Sequence, residues 1–232
     1  MILEPLAKAK VSTTLFAPEG NAAHDLLEQC IIQDRSPESF LGEKFTVEDD
    51  SMDFPIAFTV DNEMADAVQM VLDHVNHGKE DGNVYPELNL IHSEVPELTG
   101  TSDYVRVNGS HGVIKDFKYG KAQVQARYRN GKLNSQLMCY SSLVFDKFPD
   151  LETAEIGIIQ PRSKTKKKTR ETEITRDDVD EFMLTVKASA AKINAMLDKE
   201  MPLAPTEGDC WYCKANRICP TKIRKQIDRD FA

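Results

Sequence analysis

Gly100-Thr101-Ser102-Asp103-Tyr104-Val105-Arg106-Val107-Asn108-Gly109-Ser110-His111-Gly112-Val113-Ile114-Lys115-Asp116-Phe117-Lys118 is the stretch on which the fold turns. Two β-prone runs, Tyr104 to Val107 and Val113 to Lys118, flank Asn108-Gly109, the strongest short hairpin signal a sequence carries. The spacing predicts two antiparallel strands. In the second, residues i and i+2 point to one face, so Asp116 and Lys118 project together while Phe117 turns into the opposite, buried layer. Closing the hairpin brings Asp103 back toward Asp116, so two carboxylates and an ammonium converge.

That grouping suits metal-assisted hydrolysis of a phosphodiester. Carboxylate oxygens bind Mg²⁺ or Mn²⁺, which lowers the pKa of a bound water and neutralises charge on the phosphorane-like transition state. A nearby lysine orients or deprotonates that water and stabilises the developing charge. A D-x-K pattern alone is more often an exposed polar stripe on an edge strand. The rest of the chain therefore decides its meaning.

Working outward, a helix is expected from Asn21, a good N-cap residue, through Ala22, Leu26, Leu27 and Ile31. Glu38 to Phe58 has no clean period and reads as irregular. Met64, Ala67, Val68, Val71, Leu72 and Val75 recur at helical spacing, with Asp61 as cap and Gly78 as stop. Gly82-Asn83 forms a turn into a strand over 84–91, and the alternation of Ala122, Val124 and Ala126 predicts another over 121–127. Ser135 to Phe145 reads as a helix, Ala154 to Gln160 as a short strand. Thr175 and Asp178 form a capping pair for a long helix over 176–198. Helices at both ends with a hairpin between them predict an α/β domain with a mixed central sheet. No internal repeat and no Gly-rich phosphate loop is present.

A chain of 232 residues, 41% hydrophobic and 29% charged, is long enough for one domain with a sizeable core. No apolar run approaches the roughly 18 residues needed to cross a bilayer. Met1 to Lys10 lacks the pattern of a signal peptide, so a cytoplasmic protein is expected. The net charge of -9 argues against a whole-surface polyanion binder. Arg162, Lys164, Lys166, Lys167, Lys168 and Arg170 form one local basic run, either a solvated loop or a DNA-contacting one. Three of the five cysteines, Cys210, Cys213 and Cys219, give C-x2-C-x5-C. In the cytosol that spacing points to metal or cluster ligation rather than disulfides.

Gly100-Thr101-Ser102-Asp103 followed by Ile114-Lys115-Asp116-Phe117-Lys118-Tyr119-Gly120-Lys121 resembles the paired central motifs of RecB-like PD-(D/E)XK nucleases. Glu19-Gly20-Asn21-Ala22-Ala23-His24 matches the upstream histidine helix of that family, and Gln136 with Tyr140 matches its Gln-x-x-x-Tyr. The resemblance spans about residues 18–219 and is closest to phage-encoded members with a C-terminal cysteine motif, relatives of the CRISPR-associated adaptation nucleases. Ile158-Ile159-Gln160-Pro161-Arg162 also resembles these phage members.

The resemblance implies a restriction-endonuclease-like core over 1–200 and a cysteine-motif tail over 201–232 packed on it. It implies Mg²⁺ or Mn²⁺ held by His24, Asp103, Asp116 and the carbonyl of Phe117, with Lys118 handling the water. Gln136 and Tyr140 would touch substrate. Arg127, Arg129 and the basic run would guide the DNA backbone. Glu28, one turn past His24, either supports that ligand or is an ordinary solvated carboxylate. The implied activity is exonucleolytic DNA cleavage in phage recombination or replication, in the host cytoplasm, with a recombination or single-strand annealing protein as partner.

In the family the three tail cysteines join one far upstream around a [4Fe–4S] cluster. Here no cysteine precedes His24, so Cys30 substitutes, or the chain is truncated at the front, or the site is a Zn²⁺ site with another fourth ligand. Cys139 reads as a small core residue. The competing reading is a non-catalytic module that binds nucleic acid or a recombination partner. Polarity of digestion, strand preference, exo- against endonuclease action and oligomeric state are left open by the sequence.

Overall fold

The structure is a computed structural model describing residues 16–48, 54–76 and 81–198. Cys210, Cys213, Cys219 and the stop at Gly78 lie outside the described residues. In chain order come α1 (Phe16–Gln33), a 3-10 turn (Pro37–Phe40), β1 (Lys44–Val47), β2 (Ile56–Thr59) and α2 (Asn62–Asn76). Then follow β3 (Asn83–Ile91), β4 (Thr99–Asn108), β5 (His111–Phe117), α3 (Ser135–Lys147), β6 (Thr153–Ile159), β7 (Thr169–Thr175) and α4 (Arg176–Leu197).

The central sheet has the order β3-β4-β5-β6-β7. The β5–β6 step is parallel and the other three are antiparallel. A parallel step needs a crossover connection, and α3 lies within it. The expected hairpin forms with Asn108 opposite His111, and Gly109 takes the left-handed φ of +56° that its first central position requires. This mixed five-stranded sheet, flanked by four α-helices among the described residues, is the α/β class expected and is consistent with a PD-(D/E)XK-like core.

Alternation along the strands divides the interior in two. Val113 and Phe117 join Tyr104 under α1 and α2, against Ala22, Leu26, Val68 and Val71. Val105, Ile114, Ile156 and Ile158 face Leu137, Met138 and Val144 of α3 and Val179 and Met183 of α4. Each fully buried side chain of this size contributes about 1.5–3 kcal/mol. Local chemistry sets the helix starts. Asn134 accepts from Gln136 N and Leu137 N, Thr175 and Asp178 form a capping box, and Asp61 accepts from Met64 N.

Four expectations need correction. First, α1 is already helical at Phe16, so Asn21 lies inside it rather than capping it; Pro18 is tolerated because a first-turn N–H needs no helical partner. Second, β1 and β2 form an antiparallel ribbon where the sequence reads as irregular, because each is only four residues long and mostly solvent-facing. Third, residues 121–127 form no strand. The buried Gln160 side chain holds them instead, donating to Gly120 O and Ala122 O and accepting from Val124 N. Fourth, the basic run does not end in a loop. Thr169–Thr175 is an edge strand whose charged sequence hides a buried Ile174.

Candidate metal centre

The β4–β5 register, with Tyr104 opposite Lys115, carries Asp103 to the level of Asp116. Beyond Tyr104 the backbone ladder ends, and the Asp103 side chain takes over: its Oδ2 accepts from Phe117 N at 2.6 Å. Oδ1 of the same carboxylate lies 3.5 Å from Nδ1 of His24 on α1. The His24 ring packs on Phe117, centroids 4.9 Å apart, which fixes the imidazole over the strand end. On β5, Lys118 Nζ donates to Asp116 Oδ1 at 3.0 Å. Asp116 is 2% exposed, and its Oδ2 is buried without a hydrogen-bond partner.

Glu87, which the sequence reading did not single out, stands opposite Asp103 on β3 between the pairs Pro86–Tyr104 and Leu88–Ser102. Its φ is +45°, a left-handed value that costs a non-glycine residue about 1 kcal/mol or more. The strand register is unchanged across this point, but the alternation of faces breaks. Tyr85, Leu88 and Leu90 all face the α3 core, although strict alternation would put Tyr85 on the side opposite the other two. On β4, Gly100 and Val105 both face that layer, an odd number of residues apart, with Asp103 between them. Donor atoms of His24, Glu87 and Asp103 lie within 4.8 Å of one another.

Burial and crowded charge decide the protonation states. Asp116 is pushed up to about 6, by burial first and then by Asp103, with Lys118 opposing. Glu87 is pushed up to about 7 by burial, Asp103, Glu28 and Asp25, with His24 opposing. Burial works to lower His24, but the hydrogen bond and charge of Asp103 outweigh it and its pKa is raised. Crowded carboxyls whose pKa values are raised by burial and by one another, two of them with a bare buried oxygen, fit a divalent metal. The residues thus form a carboxylate and histidine group able to hold one.

The remaining expected residues divide. Gln136 Nε2 donates to Tyr140 OH at 2.8 Å on α3, and Tyr140 lies in the field of Asp116 and Asp103. Gly100 gives Tyr140 its place, since a Cβ there would stand 3.2 Å from the ring. Arg127 is not brought to the carboxylates: it bonds Thr172 and Gly131 O and lines a separate cleft of about 280 Å³. Of the basic run, Arg162 pairs with Glu19 and Glu63 over the Tyr119 ring. Arg170 is buried on Gln160, Ser163 and Thr165, which leaves Lys164, Lys166 and Lys167 exposed. Cys30 is buried in the α1 core, where desolvation pushes its thiol up to about 11. Among the described residues no helix is long and apolar enough to cross a membrane.

Glu87 escaped the sequence reading because a lone glutamate in a strand carries no motif. Its one signal is the broken alternation, Tyr85 to Leu88 being three residues apart in a run of period two.

Solved structures that resemble the chain include the following two. A protein from Eubacterium rectale described as a candidate exonuclease is 10% identical, at a TM-score of 0.49, over 90% of this chain and 75% of that one. A protein named SSO0001 is 15% identical, at a TM-score of 0.38, over 96% of this chain and 98% of that one. The family described as protein of unknown function (DUF2800) matches residues 5–231, nearly the whole length, and the chain belongs to that family.

Proposed function

We propose that this chain is a divalent-metal-dependent deoxyribonuclease of the RecB-like PD-(D/E)XK kind, acting as an exonuclease in phage DNA recombination or replication. One observation carries the reading: a buried Asp116 has one oxygen on Lys118 and the other bare, beside the Asp103–His24 pair. A satisfied structural carboxylate has no reason to keep a desolvated lone oxygen.

In this reading His24, Asp103, Asp116 and the carbonyl of Phe117 hold Mg²⁺ or Mn²⁺. The bound ion would polarise the scissile phosphate and lower the pKa of the attacking water. Asp103 is preset by Phe117 N, so little reorganisation is needed on loading. Lys118, within hydrogen-bond reach of Asp116, positions the water and offsets charge building on the phosphate oxygens. Gln136 and Tyr140 present a linked amide and phenol to the substrate backbone. The exposed lysines of the β6–β7 connection meet further phosphates. Cys210, Cys213 and Cys219 belong to the same reading as ligands of a cluster, which visible absorbance of anaerobically purified protein would test.

Digestion of end-labelled single- and double-stranded DNA with Mg²⁺, Mn²⁺ or EDTA tests the proposal. Metal-dependent cleavage that disappears in Asp116→Ala and Lys118→Ala, with folding unchanged, is the expected result. An inert protein that still binds DNA would replace it with the binding-module reading.

A further inference from the structure

We infer that Glu87 is a metal ligand, turned toward His24 and Asp103 by the break in strand alternation, and that the resulting mixed site takes Mn²⁺ ahead of Mg²⁺. This rests on the metal-dependent reading above but adds a residue and a selectivity to it.

Three observations meet at Glu87. A donor oxygen of its carboxylate lies within 4.8 Å of donor atoms of both His24 and Asp103. Glu87 Oε1 is buried with no protein partner, and Asp116, 2% exposed, keeps a second bare oxygen beside the group. The backbone at Glu87 holds a φ of +45°, where glycine would be the relaxed choice. Strained backbone persists only where the surroundings enforce it, and such residues gather at ligand clamps. In a regular β3, Tyr85 and Leu88 would face opposite layers; the broken alternation lets both stay in the α3 core while Glu87, before Leu88, is re-aimed.

The donor chemistry sets the selectivity. Carboxylate oxygen takes Mg²⁺ and Mn²⁺ alike, whereas an imidazole nitrogen favours a transition ion over Mg²⁺, so a mixed histidine and carboxylate site takes Mn²⁺ as the better held of the two. Mg²⁺ also sheds its water reluctantly and is held by one or two carboxylates rather than by a protein cage. Glu87 adds a protein ligand and so moves the site further from what suits Mg²⁺.

Calorimetric titration of the full chain with MnCl₂ and with MgCl₂ at neutral pH is the test, using wild type, Glu87→Gln, Glu87→Gly and Asp103→Asn. Wild type should bind Mn²⁺ tighter than Mg²⁺. Glu87→Gln, which keeps the strain, and Glu87→Gly, which relieves it, should each weaken Mn²⁺ by about tenfold or more, with thermal unfolding in EDTA showing both folded. Wild-type Mn²⁺ affinity in both Glu87 variants would overturn the ligand, and equal affinity of wild type for the two ions would overturn the selectivity. Metal binding and cleavage that vanish in Asp103→Asn alone would sink Glu87 while sparing the nuclease. A wild type that binds neither ion would sink both.

Discussion

Lys115 and Asp116 are neighbours on β5, each almost wholly buried, and they meet opposite fates on the two faces of the sheet. Lys115 Nζ donates to Glu155 at 2.5 Å and Glu171 at 2.6 Å, and Glu171 also takes His74 at 2.8 Å. Gly157 leaves room for this network, since a Cβ there would stand 2.8 Å from Glu171 Cγ and 3.1 Å from Lys115 Nζ. Asp116 has one partnered oxygen and one bare oxygen. Both are desolvated charges one residue apart, yet only one is fully answered by the protein. Burial alone does not mark a site; burial without completion does.

The largest effect should come from the incomplete side. Asp116→Asn or Lys118→Ala should lower the initial cleavage rate by about 10²–10³. Because Asp116 is pushed up to about 6, the asparagine variant should be more stable than wild type in EDTA at neutral pH. A loss of stability there would erase the contrast between the faces.

On the complete side, Lys115→Met should behave in reverse. It leaves Glu155 and Glu171 facing an apolar side chain, but their side chains are 35% and 29% exposed, so water relieves part of the cost. A destabilisation of about 1–3 kcal/mol by denaturant titration is expected, below that for a fully enclosed pair. Cleavage per folded molecule should be unchanged.

The third prediction concerns pH in the metal-free protein. Asp116 rises from 3.8 to about 6, Glu87 from 4.5 to about 7, and His24 also rises. In each case the folded state holds the proton more tightly than the unfolded one. The stability that protonated Asp116 and Glu87 confer at low pH is therefore lost as pH climbs through the window between about 4 and 7, and that of charged His24 only above its ordinary 6.5. Melting in EDTA should fall across that window, and Asp116→Asn should flatten the fall. Added metal should stabilise more as pH rises, because its ligands must first shed protons.

The smallest effect belongs to the rim. Replacing Lys164, Lys166 and Lys167 with alanine should leave the turnover rate alone. It should reduce the salt dependence of DNA affinity by about 0.7–0.9 in log–log slope per lost contact. Arg162 and Arg170 are poor choices for this test, because both are engaged inside the protein.

Much of the frame is legible because it is local. The helix spacing in α2, the Ser135 to Phe145 segment, the Thr175–Asp178 box and the hairpin each depend on residues within four positions of one another. The Asp116–Lys118 contact and the Gln136–Tyr140 bond are legible for the same reason. The ribbon, β7 and the 121–127 segment were not, because a short or charged stretch becomes a strand only when a partner accepts it. Gln160, nearly forty residues away, decided against a strand at 121–127.

Alternation along one strand is enough to put Asp116 and Lys118 on one face, and the Asn108-Gly109 turn is enough to return Asp103 to them. Packing between distant segments brings Glu87 to His24 and Asp103, and gives three of the six basic residues in the 162–170 run, Arg162, Lys168 and Arg170, partners within the protein. Periodicity is a property of neighbouring backbone torsions and is written in the chain. A broken alternation, a strained φ and a filled or bare hydrogen-bond position exist only after distant segments have packed.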